Sequence, residues 1–128
     1  GPPRHLRRLI MAHMLFHLRK PPHGSSAGEE ALEAILAASV FEPTITVLFE
    51  GDGVLQLLAG QDSNALGVRD IAANWTALPV YEVDDLRVHE PSLRERGLSR
   101  ADLVLDVVLA DDADVTAIIA QADQVLGF

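Results

Sequence analysis

Short apolar runs alternate along this chain with longer segments in which apolar residues recur every three or four positions. Residues 14–18 form one apolar run, and residues 44–50 form a second that is rich in β-branched side chains. Runs of this length and composition are typical of strands that are buried on both faces of a parallel sheet. We predict three more strands, at residues 84–89, 103–110 and 124–128.

Helices are predicted between the strands from the spacing of apolar residues. The first spans residues 27–41 and the second residues 66–78, with Pro79 as its stop. Pro91 suits the first turn of a third helix, and Gly97 suits its C-terminal cap. The side chains expected to face the core are Ala31, Leu32, Ile35, Leu36, Ser39 and Val40 in the first helix, Val68, Ile71, Ala72, Trp75 and Leu78 in the second, and Val115, Ile118 and Ile119 in a last helix that Asp111 or Asp112 caps.

The alternation of strands and helices indicates the fold class. It predicts an α/β domain, a three-layer open parallel sheet of about five strands flanked by helices, with right-handed crossovers. We assign this single domain to residues 14–128. Residues 1–13 are predicted to be a tag-derived or disordered N-terminus, because the opening Gly-Pro resembles a protease scar. The alternative is that Leu9, Ile10 and Met11 extend the first strand.

The turn after the first strand is expected to line a crevice. Pro22 ends the strand because proline cannot donate to a ladder, and Gly24, just after His23, permits a turn that a side chain would obstruct. Ser26 and Glu29 have the spacing of a capping box. In open parallel sheets, such strand-to-helix turns surround the place where sites form.

Gly51, Asp52 and Gly53 follow a predicted strand, as a phosphate-binding loop would. They lack both the G-x-x-x-x-G-K pattern and the G-x-G-x-x-G pattern. A tight strand-to-helix turn is therefore the favoured interpretation of these three residues.

Two other groups of residues could suggest chemistry but have simpler explanations. His13 and His17 are four residues apart, but zinc needs three or four ligands and no suitable third one is evident. Ser25 and Ser26 are not in a G-x-S-x-G motif, and capping explains them better than nucleophilic catalysis.

The acidic cluster of Asp111, Asp112 and Asp114 and the single tryptophan, Trp75, also favour structural interpretations. Acids at a helix start are stabilised by its dipole, and the D-x-[DN]-x-[DN]-G pattern of a calcium loop is absent. Trp75 lies on an apolar helix face and is expected in the core. If that face meets a partner subunit, the core and binding interpretations coincide.

Composition excludes several functions. The chain has no cysteine, which removes disulfides, thiolate metal sites and a cysteine nucleophile. Its net charge of −9 makes direct nucleic-acid binding unfavourable, since that binding depends on neutralising phosphates. No apolar run approaches the length of a membrane span and no signal peptide is visible, so we expect a cytoplasmic protein without membrane association. No cofactor or metal is predicted.

A set of short motifs, in a fixed order, carries a family resemblance. The motifs are Pro22-His23-Gly24, residues 29–34 (EEALEA), residues 49–58 (FEGDGVLQLL), Gly60-Gln61, Tyr81-Glu82-Val83 and residues 92–98 (SLRERGL). With this order and spacing, residues 14–128 resemble the DsrE/DsrF-like superfamily and, within it, the TusC/DsrF branch.

The resemblance implies a subunit of a sulfur-relay complex. Such complexes are heterohexamers with two copies each of three related chains, so the implied partners are TusB/DsrH-like and TusD/DsrE-like subunits. The TusD/DsrE-like subunit carries sulfur as a cysteine persulfide after its third strand, and His89 matches that position here. The chain is therefore expected to have no catalytic residue and to support transfer by a cysteine-bearing paralogue.

Three roles remain open from the sequence. The complex could serve 2-thiolation of the tRNA wobble uridine, which we favour, or dissimilatory sulfur oxidation. A different class of function is a stand-alone module that binds a small molecule or anion, with the turn at residues 19–29 and the loop at residues 51–53 as its pocket.

Overall fold

The computed structural model describes residues 12–41, 43–60 and 71–128 and confirms the predicted parallel sheet. Its strands lie in the order β4-β3-β2-β1-β5, and every neighbouring pair is parallel. The strands are β1 (His13–Leu18), β2 (Thr44–Phe49), β3 (Asp85–His89), β4 (Val108–Ala110) and β5 (Gln124–Gly127).

Helical segments connect the strands. The α-helices are α1 (Ala27–Ser39), α2 (Ile71–Trp75), α3 (Glu90–Glu95) and α4 (Asp112–Gln121). Three 3-10 segments complete the described secondary structure: η1 (Gly51–Leu57), η2 (Leu78–Tyr81) and η3 (Arg100–Asp102). As predicted, Pro91 lies in the first turn of α3, and Gly97 follows that helix with a φ of 68°.

The sheet has a different core on each face. The strand order places the first three right-handed connections on one face and the connection through α4 on the other. Phe16, Val47 and Val88 belong to the larger core, which also includes Trp75. The smaller core joins residues of β1, β2 and β4 to α4; its buried members are Leu15, Leu48, Ala110 and Val115. The predicted three layers are therefore present.

The fourth strand is shorter than the prediction of residues 103–110. Only Val108–Ala110 pairs with β3. The preceding residues pair elsewhere: Leu103 forms an isolated antiparallel bridge with Leu58, and the amide of Val104 donates to the carbonyl of Leu57 at 2.9 Å. The apolar run at residues 103–110 predicts one strand, because the antiparallel bridge at Leu103 and the parallel pairing of β4 bury the same types of residue.

The helix predictions need three corrections. Helix α1 ends at Ser39, and Val40, expected in the core, is 76% exposed. Of the predicted second helix, residues 66–70 lie outside the described residues, and the helix ends at Trp75, before η2, which contains Pro79. Ile119, also expected in the core, is exposed on α4. Each misplaced residue lies at the edge of an apolar stripe, where helical periodicity alone does not decide burial.

Capping was predicted correctly for one helix and wrongly for another. Asp111 is the N-cap of α4 and forms a reciprocal capping box with Asp114. Ser26 is the N-cap of α1 but makes no capping hydrogen bond, because its hydroxyl donates instead to Glu30 at 2.7 Å. The neighbouring Ser25 hydroxyl accepts from the amide of Ala27 at 3.2 Å and takes over part of the capping role.

The prediction for the N-terminus stays a prediction, because residues 1–11 lie outside the described residues. Strand β1 begins at His13, one residue before the predicted start. Part of the predicted polar loop, residues 61–64, also lies outside the described residues.

Candidate functional site at the carboxyl edge

The crevice of this sheet lies between the carboxyl ends of β3 and β4. The chain leaves β3 into α3 on the face of the larger core, and it leaves β4 into α4 on the opposite face. Loops that diverge from adjacent parallel strands open the crevice where α/β proteins place their sites. His89 ends β3 and Asp112 begins α4, so the two residues flank this crevice.

His89 closes the crevice with both of its ring nitrogens. Its Nε2 lies 2.6 Å from Oδ1 of Asp112, and its Nδ1 lies 2.6 Å from Oγ of Ser92. A carboxylate only accepts, so Nε2 carries a proton, and in the neutral tautomer Nδ1 accepts from the Ser92 hydroxyl. His89 is buried and joins the start of α4 to α3.

Ser92 extends this chain of hydrogen bonds to the loop after β2. The amide of Gly51 donates to its hydroxyl at 2.8 Å. Three loops are thus joined by one series of contacts, from Gly51 through Ser92 and His89 to Asp112. We call this series the carboxyl-edge chain.

An ion pair runs beside the carboxyl-edge chain. Arg96 donates to Oδ1 of Asp52 at 2.9 and 3.2 Å, and a third contact goes to the carbonyl of Ser92 at 2.9 Å. The motif at residues 49–58 therefore meets the motif at residues 92–98 through two separate contacts. Sequence reasoning found both motifs but missed that they bind each other, because no local pattern reports such a pairing.

Gly53 packs closely against the end of β1. A Cβ atom built on Gly53 would lie 2.0 Å from the carbonyl oxygen of Leu18. A side chain at this position would therefore collide with the backbone of β1. The structure supports the interpretation of residues 51–53 as a tight turn.

Gln56, the remaining polar residue of the motif at residues 49–58, has a structural role. It is fully buried, accepts from the indole nitrogen of Trp75 at 3.3 Å and donates to the carbonyl of Lys20 at 3.1 Å. A side chain on Gly28 would collide with it, at 2.4 Å. Trp75 packs edge-on against Phe49 and is fully buried, which confirms the core interpretation.

The Ser92–His89–Asp112 series has the connectivity of a hydrolase triad but the opposite exposure. In a serine hydrolase the serine faces the substrate and the acid is buried. Here Ser92 is 3% exposed, whereas the Asp112 side chain is 88% exposed. The serine cannot reach a substrate, so the contacts hold loops together.

The turn at residues 19–29 supplies neither of the two hydrogen-bond partners of the His89 ring. It follows β1, whereas both ring partners of His89 come from α3 and α4. Pro22 is buried, while His23, Gly24 and Ser26 are exposed, and Gly24 has the predicted left-handed conformation with a φ of 84°. The structure thus brings Gly51 and His89 into one series of hydrogen bonds through Ser92.

The two histidines of β1 have separate partners. Nε2 of His17 lies 2.8 Å from Oε1 of Glu50, and Nε2 of His13 lies 2.8 Å from Oγ1 of Thr46. Four residues of strand place the two rings about 13 Å apart along β1, too far to share one ion. Within the described residues, no group of three or more histidines and acids could hold a metal ion.

The His13 contact belongs to a polar network on the α4 face. The hydroxyl of Thr46 donates to Asp85 at 2.6 Å, and Nε of Arg87 donates to the other oxygen of Asp85 at 2.7 Å. Burial opposes ionisation of Asp85, but these two hydrogen bonds and the charges of Arg87 and His13 outweigh it and lower the pKa of Asp85 below its ordinary value. Sequence reasoning missed this network, whose members come from three strands.

Among the described helices, none is long and apolar enough to cross a bilayer.

Comparison with known proteins identifies relatives over nearly the whole chain. Residues 12–128 match the model of the DsrE/DsrF-like family. The chain is 39% identical over 118 residues to a "Protein TusC homolog" of Vibrio parahaemolyticus and 36% identical over 118 residues to one of Vibrio vulnificus; both matches cover 92% of this chain and 100% of the relative. The fold is similar to the crystal structure of the ychN protein from E. coli, with a TM-score of 0.79 and 21% identity over 92% of this chain and 100% of that one.

Proposed function

The chain belongs to the DsrE/DsrF-like family, and we propose that it is a non-catalytic subunit of a heterohexameric sulfur-relay complex of the TusBCD/DsrEFH type. In this role it supports persulfide transfer by a cysteine-bearing paralogue. The pathway we favour is 2-thiolation of the tRNA wobble uridine, in the cytoplasm. Its partners in this proposal are TusB/DsrH-like and TusD/DsrE-like subunits.

The absence of cysteine from a chain with TusC-named relatives carries the proposal. A persulfide forms on a thiol, and imidazole does not replace it. Both ring nitrogens of His89 are engaged, with Ser92 and Asp112, so the position that resembles the carrier cysteine has a structural environment here. The crevice is closed by the chain's own side chains.

The charge of the chain supports an indirect role in tRNA modification. A net charge of −9 repels the phosphates of RNA, and binding would require local basic side chains to overcome it. Of the three arginines that could do so, Arg96 is engaged with Asp52, Arg94 lies 3.6 Å from Glu90, and Arg100 is exposed in η3. Contact with tRNA is therefore assigned to other members of the pathway.

The stand-alone binding module is the less favoured candidate. Its proposed pocket required space between the turn at residues 19–29 and the loop at residues 51–53. Gly53 packs on the carbonyl of Leu18, and Gln56 binds the carbonyl of Lys20, so protein atoms occupy the start of that turn.

An experiment with radiolabelled sulfur distinguishes a sulfur-carrying subunit from a supporting subunit. The isolated chain is incubated with a cysteine desulfurase and radiolabelled cysteine, alone and with its co-purified paralogues. We expect label on a cysteine-bearing paralogue and none on this chain. Stable labelling of the isolated chain contradicts the proposal.

Deletion of the gene tests the pathway. We expect loss of wobble-uridine 2-thiolation, measured by mass spectrometry of tRNA nucleosides, with restoration by the wild-type chain. Normal thiolation together with impaired sulfur oxidation would assign the complex to the dissimilatory pathway instead.

Substitution of His89 tests its structural role in the proposed complex. His89→Gln is compared with wild type for assembly and for sulfur transfer. We expect unchanged transfer in every complex that assembles. Loss of transfer in a fully assembled complex would place His89 at a shared active site.

A further inference from the structure

Asp52 and Gly53 form the single Asp-Gly pair of the sequence, and such a pair is chemically reactive in an unfolded chain. The amide nitrogen of a glycine, which no side chain shields, attacks the γ-carbon of the preceding aspartic acid and closes a succinimide ring. The hydroxyl of the carboxyl group and the proton of the amide leave together as water. Water then opens the ring at either carbonyl, so that one route restores aspartate and the other gives isoaspartate, whose main chain runs through Cβ and Cγ.

The fold restrains the attacking nitrogen. The amide of Gly53 donates to the carbonyl oxygen of Glu50 at 2.9 Å, and both Asp52 and Gly53 lie in the 3-10 segment η1. A residue in such a segment has a ψ of roughly −20 to −30°. Ring closure requires a ψ at Asp52 far from this range, because the Gly53 nitrogen has to turn toward the side chain. The first turn of η1 must therefore unwind before the reaction can occur.

Arg96 restrains the carboxyl group that would be attacked. Oδ1 of Asp52 accepts from Nη2 of Arg96 at 2.9 Å and from Nε at 3.2 Å. Arg96 is itself fixed, because its Nη1 donates to the carbonyl of Ser92 at 2.9 Å. The Asp52 side chain is 56% exposed, whereas that of Arg96 is 24% exposed. Solvent reaches the carboxylate, so its restraint comes from the arginine and not from burial.

We propose that Asp52-Gly53 is an isoaspartate-forming modification site that the fold keeps closed, with Arg96 as the side chain that holds it closed. Isoaspartate lengthens the main chain by one carbon. A single Cβ atom added at Gly53 would already lie 2.0 Å from the carbonyl oxygen of Leu18, so the tight turn has no room for the longer chain. An isomerised molecule therefore cannot rebuild the contact between η1 and β1. The proposal does not depend on the sulfur-relay role.

The rate of isoaspartate formation tests the proposal. Wild type, Arg96→Ala and Arg94→Ala are kept folded at neutral pH and physiological temperature and sampled over weeks. Isoaspartate is measured by methyl transfer from labelled S-adenosylmethionine with an isoaspartyl methyltransferase. It is located with a protease that cleaves before aspartate but not before isoaspartate. We expect Arg96→Ala to accumulate isoaspartate at Asp52 several-fold faster than wild type.

Two control variants separate release of the carboxylate from other effects. Arg94→Ala removes an arginine of the same helix, whose ion-pair partner is Glu90 at 3.6 Å, and is expected to react at the wild-type rate. Val115→Ala removes a buried side chain from the smaller core and destabilises the fold without touching either reacting group. It is also expected to react at a rate near that of wild type while it remains folded.

A second arm uses the wild-type chain alone and holds even if Arg96→Ala fails to fold. In guanidinium chloride, wild type should form isoaspartate at Asp52 several-fold faster than the folded protein, with no change in mass once the ring has opened. After the denaturant is removed, the isomerised molecules should not regain the wild-type free energy of unfolding. Arg96→Lys, which keeps one cation without the planar fork, is expected to react at a rate between wild type and Arg96→Ala.

Four results would overturn the proposal. They are equal rates in folded and unfolded wild type, wild-type rates in every folded variant of Arg96, acceleration by Arg94→Ala or Val115→Ala equal to that by Arg96→Ala, and recovery of wild-type stability by the isomerised chain.

Discussion

The two edges of the same parallel sheet use their exposed residues in opposite ways. At the carboxyl edge, Gly51, Ser92, His89 and Asp112 are joined by hydrogen bonds of 2.6 to 2.8 Å, and Arg96 adds an ion pair beside them. At the amino edge, four large hydrophobic side chains are exposed: Val40, Phe41, Val80 and Tyr81. In most open α/β proteins the carboxyl edge is the place for a ligand. Here that edge is closed by the protein's own side chains.

The buried polar groups of the described residues are all engaged within the chain. Within the described residues, every buried side-chain nitrogen and oxygen has a hydrogen-bond partner in the protein. None of these atoms needs a ligand to complete its hydrogen bonding. The amino edge has its own hydrogen-bonded series, in which Thr46 joins His13 to Asp85, and beside it lie exposed apolar side chains. Substitutions within the hydrogen-bonded series of either edge should therefore change stability more than substitutions of exposed apolar side chains.

The largest effect is expected for Gly53→Ala. The new Cβ would lie 2.0 Å from the carbonyl oxygen of Leu18, and backbone atoms cannot move aside cheaply. We expect a loss of about 3 kcal/mol in the free energy of unfolding. Urea denaturation followed by Trp75 fluorescence measures it.

Gly60→Ala is the matched control, because Gly60 has a φ of 76° with no atom within 4 Å of the new Cβ. It should cost only about 1 kcal/mol from backbone strain. Equal losses in the two variants would show that the contact with β1 does not constrain the loop.

A smaller loss is expected for Ser92→Ala. It leaves the amide of Gly51 and Nδ1 of His89 without their partner in a buried place. We expect destabilisation of about 2 kcal/mol by the same denaturation measurement. Ser26→Ala, which alters an exposed hydroxyl in the turn after β1, should stay within about 0.5 kcal/mol. A neutral Ser92→Ala would mean that the carboxyl-edge chain adds nothing to stability.

Asp85→Asn should make a modest, pH-dependent difference. The folded pKa of Asp85 is lowered, so its carboxylate stabilises the fold fully above the unfolded pKa of about 3.9, and this contribution is lost as the pH falls through the folded pKa. Because the side chain is 35% exposed, solvent screening keeps the contribution below about 1 kcal/mol.

Unfolding free energies of wild type and Asp85→Asn at pH 7 and pH 3 provide the check. The gap between the two proteins should narrow at pH 3. A gap that widens at pH 3 would have the wrong sign for a lowered pKa.

The smallest effect on the monomer is expected for Val80→Ser. Its side chain is 81% exposed, so replacement removes little buried surface. The unfolding free energy at low protein concentration should change by less than about 0.5 kcal/mol. A larger loss would show that the Val80 side chain packs against other residues of its own chain.

The sequence predicted the elements that depend on local spacing. The strands beginning near Met14 and Thr44 and the α4 cap at Asp111 follow from runs and signals only a few residues long. The strand prediction was wrong where one apolar run pairs with two different segments: Leu103 pairs with Leu58, and Val108 pairs with β3. Exposure of Val40 was also missed, because a helix stripe does not show where its covering layer ends.

The sequence by itself determined the fold class, the absence of a cysteine thiol and the order of the motifs, because these depend on composition and local periodicity. Only the tertiary structure decided what those motifs do. Ser92 and Gly51 are 41 positions apart, and His89 and Asp112 are 23 apart, yet each pair is in hydrogen-bond contact. Such contacts depend on strand order and on the direction in which each loop leaves the sheet. No short segment contains that information, since the side chains meet only after the parallel strands are paired.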